Sequence, residues 1–462
     1  MGVTNTSVID TMIIAGKNLA DELNHLGSVK RFFGRTADSV RAFCLAAKLS
    51  DETGKACASM GNAIFTANCL ENFSAEDFQT LYAEYKKYLA DVKLYPKKFY
   101  DHKKIRVGFL SGNFQWSVVM AWSWSLLSDL DKKFFKVYCY SNVKIPDEVT
   151  NHFRASVENW RDIYNLTDET AAKLIHDDEI DILFDLDGHA ADNRLRVAAY
   201  RPASVQICGI GYMNSTGLDC FDYFLSDIYC AGDENFFTEK LIKLPHSHIC
   251  YEPPTKLEPS DKPPCLKNNF VTFGSFNNFA KVTDSILIAW KKILDAVPES
   301  RLILKHKIFN TSDGKIFVSE RLKNFEFDLA QIEMRGFSNE NHLVEYGDID
   351  IALDTFPYTG GVTTCEALYM GVPVISLYGA RHGSRFGLSI LKNIGLDELA
   401  VDSYDEYINR AVALAGDWKL LTILRKNLRP IMKKSPLMNS ESYLREIQGA
   451  FIKILNDERQ KS

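Results

Sequence analysis

The sequence predicts an α/β protein with two Rossmann-like domains facing a cleft, preceded by an all-helical N-terminal segment. Short apolar strands alternate with helices at βαβ spacing in two separate runs, residues 101–251 and residues 269–402. Between them residues 252–268, EPPTKLEPSDKPPCLKN, hold five prolines among charges and mark a linker. Residues 1–100 carry helical periodicity without a strand, and residues 403–462 return to helix and end in a charged tail.

In the first hundred residues the periodicity predicts helices over Val8 to Leu26, Thr36 to Leu49, Glu52 to Cys69 and Ala75 to Leu94. Ser74 caps the last of these, and Phe78, Leu81, Tyr82 and Tyr85 share one face. No repeat of about 34 residues is evident, so a helical cap or a docking module for a partner subunit is expected rather than a repeat array. The pattern changes at Lys103, where Ile105, Val107 and Phe109 alternate before Gly112. Strands are expected at 136–141, 181–186, 205–212, 223–227 and 240–245, with helices from Asp168 to His176 and Asn193 to Tyr200. Beyond the linker, FVTFGSFNNFAKVT opens the second run. It leads to helices from Asp284 to Ala296, Gly314 to Leu329 and Asn339 to Tyr346, and to strands at 301–307 and 332–337.

Bulk properties exclude several classes. A net charge of −6 over 462 residues gives no basic footprint for nucleic acid. No apolar run approaches the roughly 20 residues of a membrane span, and the N-terminus lacks a basic start followed by a long apolar core. Ten cysteines without a C-x-x-C pair point to neither a disulfide framework nor a zinc site, so a reduced, cytoplasmic setting is expected.

The most informative stretch is DIDIALDTFPYTGGVTTCEALYMGVPVISLYG, residues 348–379. A short strand, a turn containing Thr359, Gly360 and Gly361, a helix opening at Thr363 and Thr364, and a second strand make a βαβ unit. Backbone amides and hydroxyls at a helix N-terminus hold diphosphate without a metal, and Glu366 behind the turn suits ribose hydroxyls. The same residues also fit an ordinary turn whose glycines only tighten the backbone. Lys281 lies between a strand and a helix, where its ammonium can offset charge on a leaving group or simply be solvated. His342 suits a nucleotide base or a surface cap. Three D-x-D triplets, at 129–131, 185–187 and 348–350, tempt a metal reading, but the turn already neutralises phosphate and no metal is expected. His189, closing DLDGH at a strand end, reads as a substrate contact or proton acceptor, or as a helix cap.

Several segments together resemble the catalytic region of the O-GlcNAc transferase and SPINDLY-like family, glycosyltransferase family 41. They are RVGFLSGNF, DLDGHAADNRLRVAAYRPASVQICGIGY, FGSFNNFAKVT, GVTTCEALYMGVPVISL, GARHGSRFGLSIL and RPIMKKSPLMNSESY, spread over roughly residues 58–455. The resemblance implies a GT-B fold and an inverting, metal-independent transfer from a nucleotide sugar such as UDP-GlcNAc to Ser or Thr hydroxyls of a protein, with no further cofactor. It assigns Lys281 to the pyrophosphate, Asn278 to the neighbouring polar position, Thr363 and Thr364 to the phosphate, His342 to the base, Glu366 to the ribose and His189 to the sugar side. Departures cluster in the other half. Asn113-Phe114-Gln115-Trp116-Ser117 stands where the family commonly reads Asp-Phe followed closely by Asn-His, Met213-Asn214-Ser215-Thr216 replaces a Pro-Gly-Thr, and Val362 stands where animal enzymes carry His. The resemblance therefore specifies the nucleotide half more closely than the half that selects sugar and acceptor. Transfer to a glycan, lipid or small molecule stays open, as does a non-catalytic nucleotide-binding subunit; an epimerase fits the motifs less well.

Overall fold

The computed structural model describes residues 6–253, 257–337 and 341–461, with residues 6–18 as backbone alone. Two sheets form the frame. The first contains β1 (Ile105–Ser111), β2 (Phe135–Ser141), β3 (Asn159–Asp162), β4 (Ile182–Asp185), β5 (Val205–Gly209), β6 (Tyr223–Asp227) and β7 (Lys240–Leu244), in the order β3-β2-β1-β4-β5-β6-β7. The second contains β8 (Thr272–Ser275), β9 (Arg301–Lys305), β10 (Ile332–Arg335), β11 (Ile351–Leu353), β12 (Val374–Leu377) and β13 (Ala400–Val401), in the order β10-β9-β8-β11-β12-β13. Every pairing is parallel. Parallel strands are covered on both faces, which is why β4, β5 and β6 are buried at every residue.

Each sheet doubles back around its first strand: β1 lies between β2 and β4, and β8 between β9 and β11. At such a reversal the connections leave to opposite faces and open a crevice at the strand carboxyl ends. Of the four N-terminal helices, α1 (Thr6–Phe32), α2 (Thr36–Leu49), α3 (Thr53–Ala67) and α4 (Ala75–Lys87), the last three share a core with the first sheet, whereas the end of α1 reaches the second lobe, where Phe32 meets His306 and Phe33 meets Phe317. Phe78, Tyr82 and Tyr85 of α4 are buried in the shared core, and the Tyr82 hydroxyl donates to the Ser215 carbonyl at 3.0 Å. That apolar face is thus used within the chain, as a helical cap uses it. Ser74 caps α4 through a reciprocal bond with Asp77, as the sequence indicates.

The closing helices span Tyr404–Gly416, Trp418–Lys434 and Ser440–Arg459. The last does not stay with the second sheet. Its Phe451 ring lies 6.4 Å from Phe135 and 6.1 Å from Phe184 of the first sheet, and Glu458 accepts from the Tyr223 hydroxyl and Lys97.

Some elements differ from expectation for physical reasons. β3 is the polar edge sequence NWRD, and β13 has only two residues, so neither carries an apolar run. The helix from Ala75 stops at Lys87 rather than Leu94, and that from Ser312 stops at Asn324 rather than Leu329. Where a helix from Asn339 was expected, Asn339 lies outside the described residues and His342–Asp348 forms a 3-10 helix. Among the described residues no helix is long and apolar enough to cross a membrane.

A buried cation joins the second sheet to the closing helices. Arg425 donates to the carbonyls of Ile349 (2.9 Å), Tyr346 (3.1 Å), Gly347 (3.3 Å) and Ser260 (3.3 Å) while only 2% exposed. Arg425→Met keeps the volume but strips donors from buried carbonyls. It is expected to lower stability by about 3 kcal/mol, read as a shift of the denaturant midpoint followed by circular dichroism.

Candidate active site

The carboxyl ends of β8 and β11 carry the groups singled out from the sequence. β11 runs directly into Asp354, buried at 1% exposure. One Asp354 oxygen, Oδ1, accepts from the amides of Thr355 (2.8 Å) and Gly360 (2.7 Å) and from the Asn277 amide group (3.2 Å); the other accepts from the Ser376 hydroxyl at 2.7 Å. Burial pushes this carboxyl above its ordinary range, and the surrounding donors together with Lys281 pull it back. The turn 355–361 is thereby folded over a carboxylate. A Cβ at Gly360 would sit 2.5 Å from the Thr364 hydroxyl, 2.7 Å from that of Thr363 and 3.0 Å from Asp354 Oδ1, so glycine is required for the hydroxyls to converge.

The helix Val362–Tyr369 starts immediately after Gly361. Its first internal bond runs from the Cys365 amide to the Gly361 carbonyl, so the amides of residues 362–364 precede the ladder and face the turn. The Thr363 hydroxyl donates to Asn277 Oδ1 at 3.0 Å. From the other side the 3-10 turn Phe279–Lys281 brings the Lys281 ammonium to 3.0 Å from the Thr359 carbonyl and 3.6 Å from the centre of the Tyr358 ring. Burial pulls the Lys281 ammonium down to about 8, with Asp354 acting in the opposite sense. Lys281, Thr359, Gly360, Gly361, Thr363 and Thr364 therefore form one polar constellation. Asn278, by contrast, is exposed and caps the Lys281 turn by accepting from the Ala280 amide; Asn277 is the asparagine inside the network.

His342 and Glu366 also meet. His342 Nε2 lies 2.8 Å from Glu366 Oε1, and the Tyr346 hydroxyl braces the same corner on the Thr363 carbonyl at 3.1 Å. Beside them a cavity of about 490 Å³ opens between the lobes. Trp116, Val118 and Trp124 of the first lobe line one side and His342, Val362 and Glu366 the other, with Glu252 at the rim of the linker. Burial raises the Glu252 carboxyl above its usual range.

His189 is placed differently from the sequence expectation. Instead of facing the cleft it is 1% exposed beneath the N-terminal helices, among Tyr82, Tyr85 and Tyr212. Its Nε2 lies 2.7 Å from the Thr216 carbonyl, Nδ1 has no partner, and burial holds the ring neutral with a pKa of about 4. The helical segment, invisible in a local reading of DLDGH, closes over it. Asp185 and Asp187 are equally enclosed: Asp187 accepts from Ser111, Gly112 and Asn113, and Asp185 from the Gly188 amide. Burial pushes both carboxyls up, helped at Asp185 by the charge of Asp187 and at Asp187 by that of Asp192, so the triplet organises backbone.

Three participants went unrecognised. Asp354 carried a signal, an aspartate between an apolar strand and a Pro-Gly turn. Asn277 could not be told from its neighbour, and Trp122, whose ring occupies the space a Gly361 Cβ would need, comes from the other lobe.

Comparison with known proteins accords with this geometry. The family description "Glycosyl transferase family 41" matches residues 77–253 and 259–447. The chain is 38% identical over 374 residues to the probable UDP-N-acetylglucosamine–peptide N-acetylglucosaminyltransferase SPINDLY of Solanum lycopersicum, covering 78% of this chain and 40% of that protein. It thus spans well under half of that relative. Among solved structures, a mutant O-GlcNAc transferase of Thermobaculum terrenum superposes with a TM-score of 0.90 at 28% identity, over 97% of this chain and 86% of that one. A sucrose-phosphate synthase of Thermosynechococcus elongatus, at 13% identity and TM-score 0.50 over 77% of this chain and all of that one, shares the GT-B fold.

The depressed Lys281 pKa has a definite sign. The ammonium is charged below about 8 and neutral above, whereas an unperturbed lysine stays charged to 10.5. If this turn takes a nucleoside diphosphate, its binding is expected at full strength below that value and to weaken as pH rises through it, by about tenfold between pH 7 and 9. Calorimetry with UDP across that range, in buffers of different ionisation enthalpy, checks both the loss and the proton uptake that accompanies binding above pH 8.

Proposed function

The chain belongs to glycosyltransferase family 41, and from that premise we propose that it transfers a sugar, GlcNAc from UDP-GlcNAc or a related nucleotide sugar, to Ser or Thr hydroxyls of a protein. The reaction proposed is inverting and needs no metal. One observation carries it: the Lys281 ammonium reaches the Thr359 carbonyl, in the same turn on which the Thr363 and Thr364 hydroxyls converge.

The chemistry follows from that arrangement. The acceptor oxygen attacks the anomeric carbon from the face opposite the diphosphate, the carbon–oxygen bond to the β-phosphate breaks, its electron pair stays on the departing phosphate oxygen, and the proton of the acceptor hydroxyl is released to solvent. Charge accumulates where an ammonium, two hydroxyls and the amides at a helix start already point, so little reorganisation is needed as it develops. His342 and Glu366 would hold the nucleoside, the ring against the base and the carboxylate on the ribose, and their mutual bond of 2.8 Å fixes both before binding.

A second acceptor class is favoured by one feature. Trp116 and Val118 expose 69% and 53% of their surface around the cavity, an apolar wall that also suits a glycan ring or a lipid chain. Incubation with a panel of UDP- and GDP-linked sugars and a cell extract separates the two: intact-mass gains on proteins support the proposal, and label confined to the non-protein fraction supports the second reading.

Lys281→Met is expected to reduce transfer by about 10²- to 10³-fold with an unchanged circular dichroism spectrum. Turnover equal to wild type in that variant would falsify the assignment.

A further inference from the structure

Away from the transfer groups, a second cluster of chemistry-bearing side chains lies buried where the two lobes meet. Cys230 and His248 belong to the first lobe, just beyond β6 and β7, and His382 to the loop that follows β12 of the second. Their exposures are 0%, 1% and 1%. One potential ligand atom from each lies within 4.8 Å of those of the other two, and no other such trio is found among the described residues.

The hydrogen bonding of this cluster is unusual for a packed interior. His248 Nδ1 sits 2.6 Å from Asp227 Oδ2, an oxygen that also accepts from the His248 amide (3.1 Å) and the Ser389 hydroxyl (2.8 Å). That bond makes Nδ1 the protonated nitrogen and leaves the lone pair on Nε2. Neither ring nitrogen of His382 makes a hydrogen bond of ordinary geometry, the Met213 backbone being its one polar neighbour, and Phe224, Phe237 and Phe386 pack around it with ring centres 5.3, 5.9 and 5.4 Å away, while the Cys230 thiol donates weakly to the His382 carbonyl at 3.4 Å. A buried imidazole normally finds at least one well-formed partner, so a ring this poorly satisfied beside a thiol and a second imidazole asks for an occupant. The carboxylate–imidazole pair is the arrangement that orients a metal-binding histidine.

We propose that Cys230, His248 and His382 bind a thiophilic d¹⁰ metal ion, Zn²⁺ or Cu⁺, that fastens the two lobes together and takes no part in sugar transfer. Thiolate with imidazole is the donor set such ions prefer, with metal–sulfur bonds of about 2.3 Å and metal–nitrogen bonds of about 2.0 Å to zinc. On binding, the Cys230 thiol releases its proton to solvent and the metal–sulfur bond takes its place; no redox partner is required. A divalent ion would be balanced by that thiolate and the Asp227 carboxylate. The consequence reaches the phosphate turn, because Gly383, next to His382, accepts from both the Thr359 amide and the Thr359 hydroxyl at 3.1 Å.

The full chain, purified without chelators or a metal-affinity step, is analysed by inductively coupled plasma mass spectrometry. About one zinc or copper per chain is expected, the measurement itself telling the two apart, and the content should fall at least tenfold in Cys230→Ser and His382→Gln. Protein stripped of metal is then titrated with Co²⁺. A thiolate-to-cobalt charge-transfer band saturating at one equivalent in wild type, and missing in Cys230→Ser, supports the site. Wild-type protein with no stoichiometric metal and no charge-transfer band overturns it. Should the variants fail to fold, the wild-type metal content and cobalt titration decide the question alone.

Discussion

A single buried carboxylate governs the second lobe. Asp354 sits where β11 runs out, and donors from the turn, from the β8 connection and from β12 converge on it. Removing any one of them leaves charge in a low-dielectric interior short of a partner, so the turn has one arrangement available rather than several. The neighbours inherit that rigidity. Asn277, held by Asp354, in turn holds the Thr363 hydroxyl, and the Asp354 carbonyl accepts from Tyr407, whose oxygen accepts from Trp290. A line of directional contacts thus runs from the turn at 355–361 into the core beneath it.

The lobes are matched unequally to their tasks. In the second lobe Lys281 is braced by Thr359 and Tyr358, His342 by Glu366, and Glu366 by Tyr346. On the opposite wall Trp116 is pinned only through its backbone, the amide donating to Asp147 at 2.7 Å, while its ring stays exposed. A braced site selects one ligand shape, and an exposed aromatic wall with no such bracing is less selective. The contrast follows the sequence, where the nucleotide motifs keep the family pattern and residues 113–117 depart from it.

Most of the frame was legible because parallel strands announce themselves as apolar runs and their connections as periodic helices. DILFDL, VQICG and YFLSD could hardly be anything else. The polar edge strand NWRD carries no such mark, nor does the two-residue β13. The turn at 359–364 was readable from local chemistry, and its meeting with Lys281 followed from both lying at strand ends of one sheet. What local reading could not supply were contacts made across the chain. His189 looks exposed in DLDGH until α3 and α4 are laid over it, and Asn277 is indistinguishable from Asn278 until Asp354 chooses between them. The metal-ligand trio has no spacing motif because its members are separated by 18 and 134 residues along the chain.

The return of the helix Ser440–Arg459 to the first sheet bears on how the molecule comes into being. Phe135 and Phe184 find their cover on Phe451, which is made only after the whole second lobe. Until that helix leaves the ribosome, the earlier lobe has an uncovered apolar flank, a surface on which nascent chains associate wrongly. The first lobe is thus completed by a helix from beyond the second, and a break at the proline-rich connection would part it from that cover.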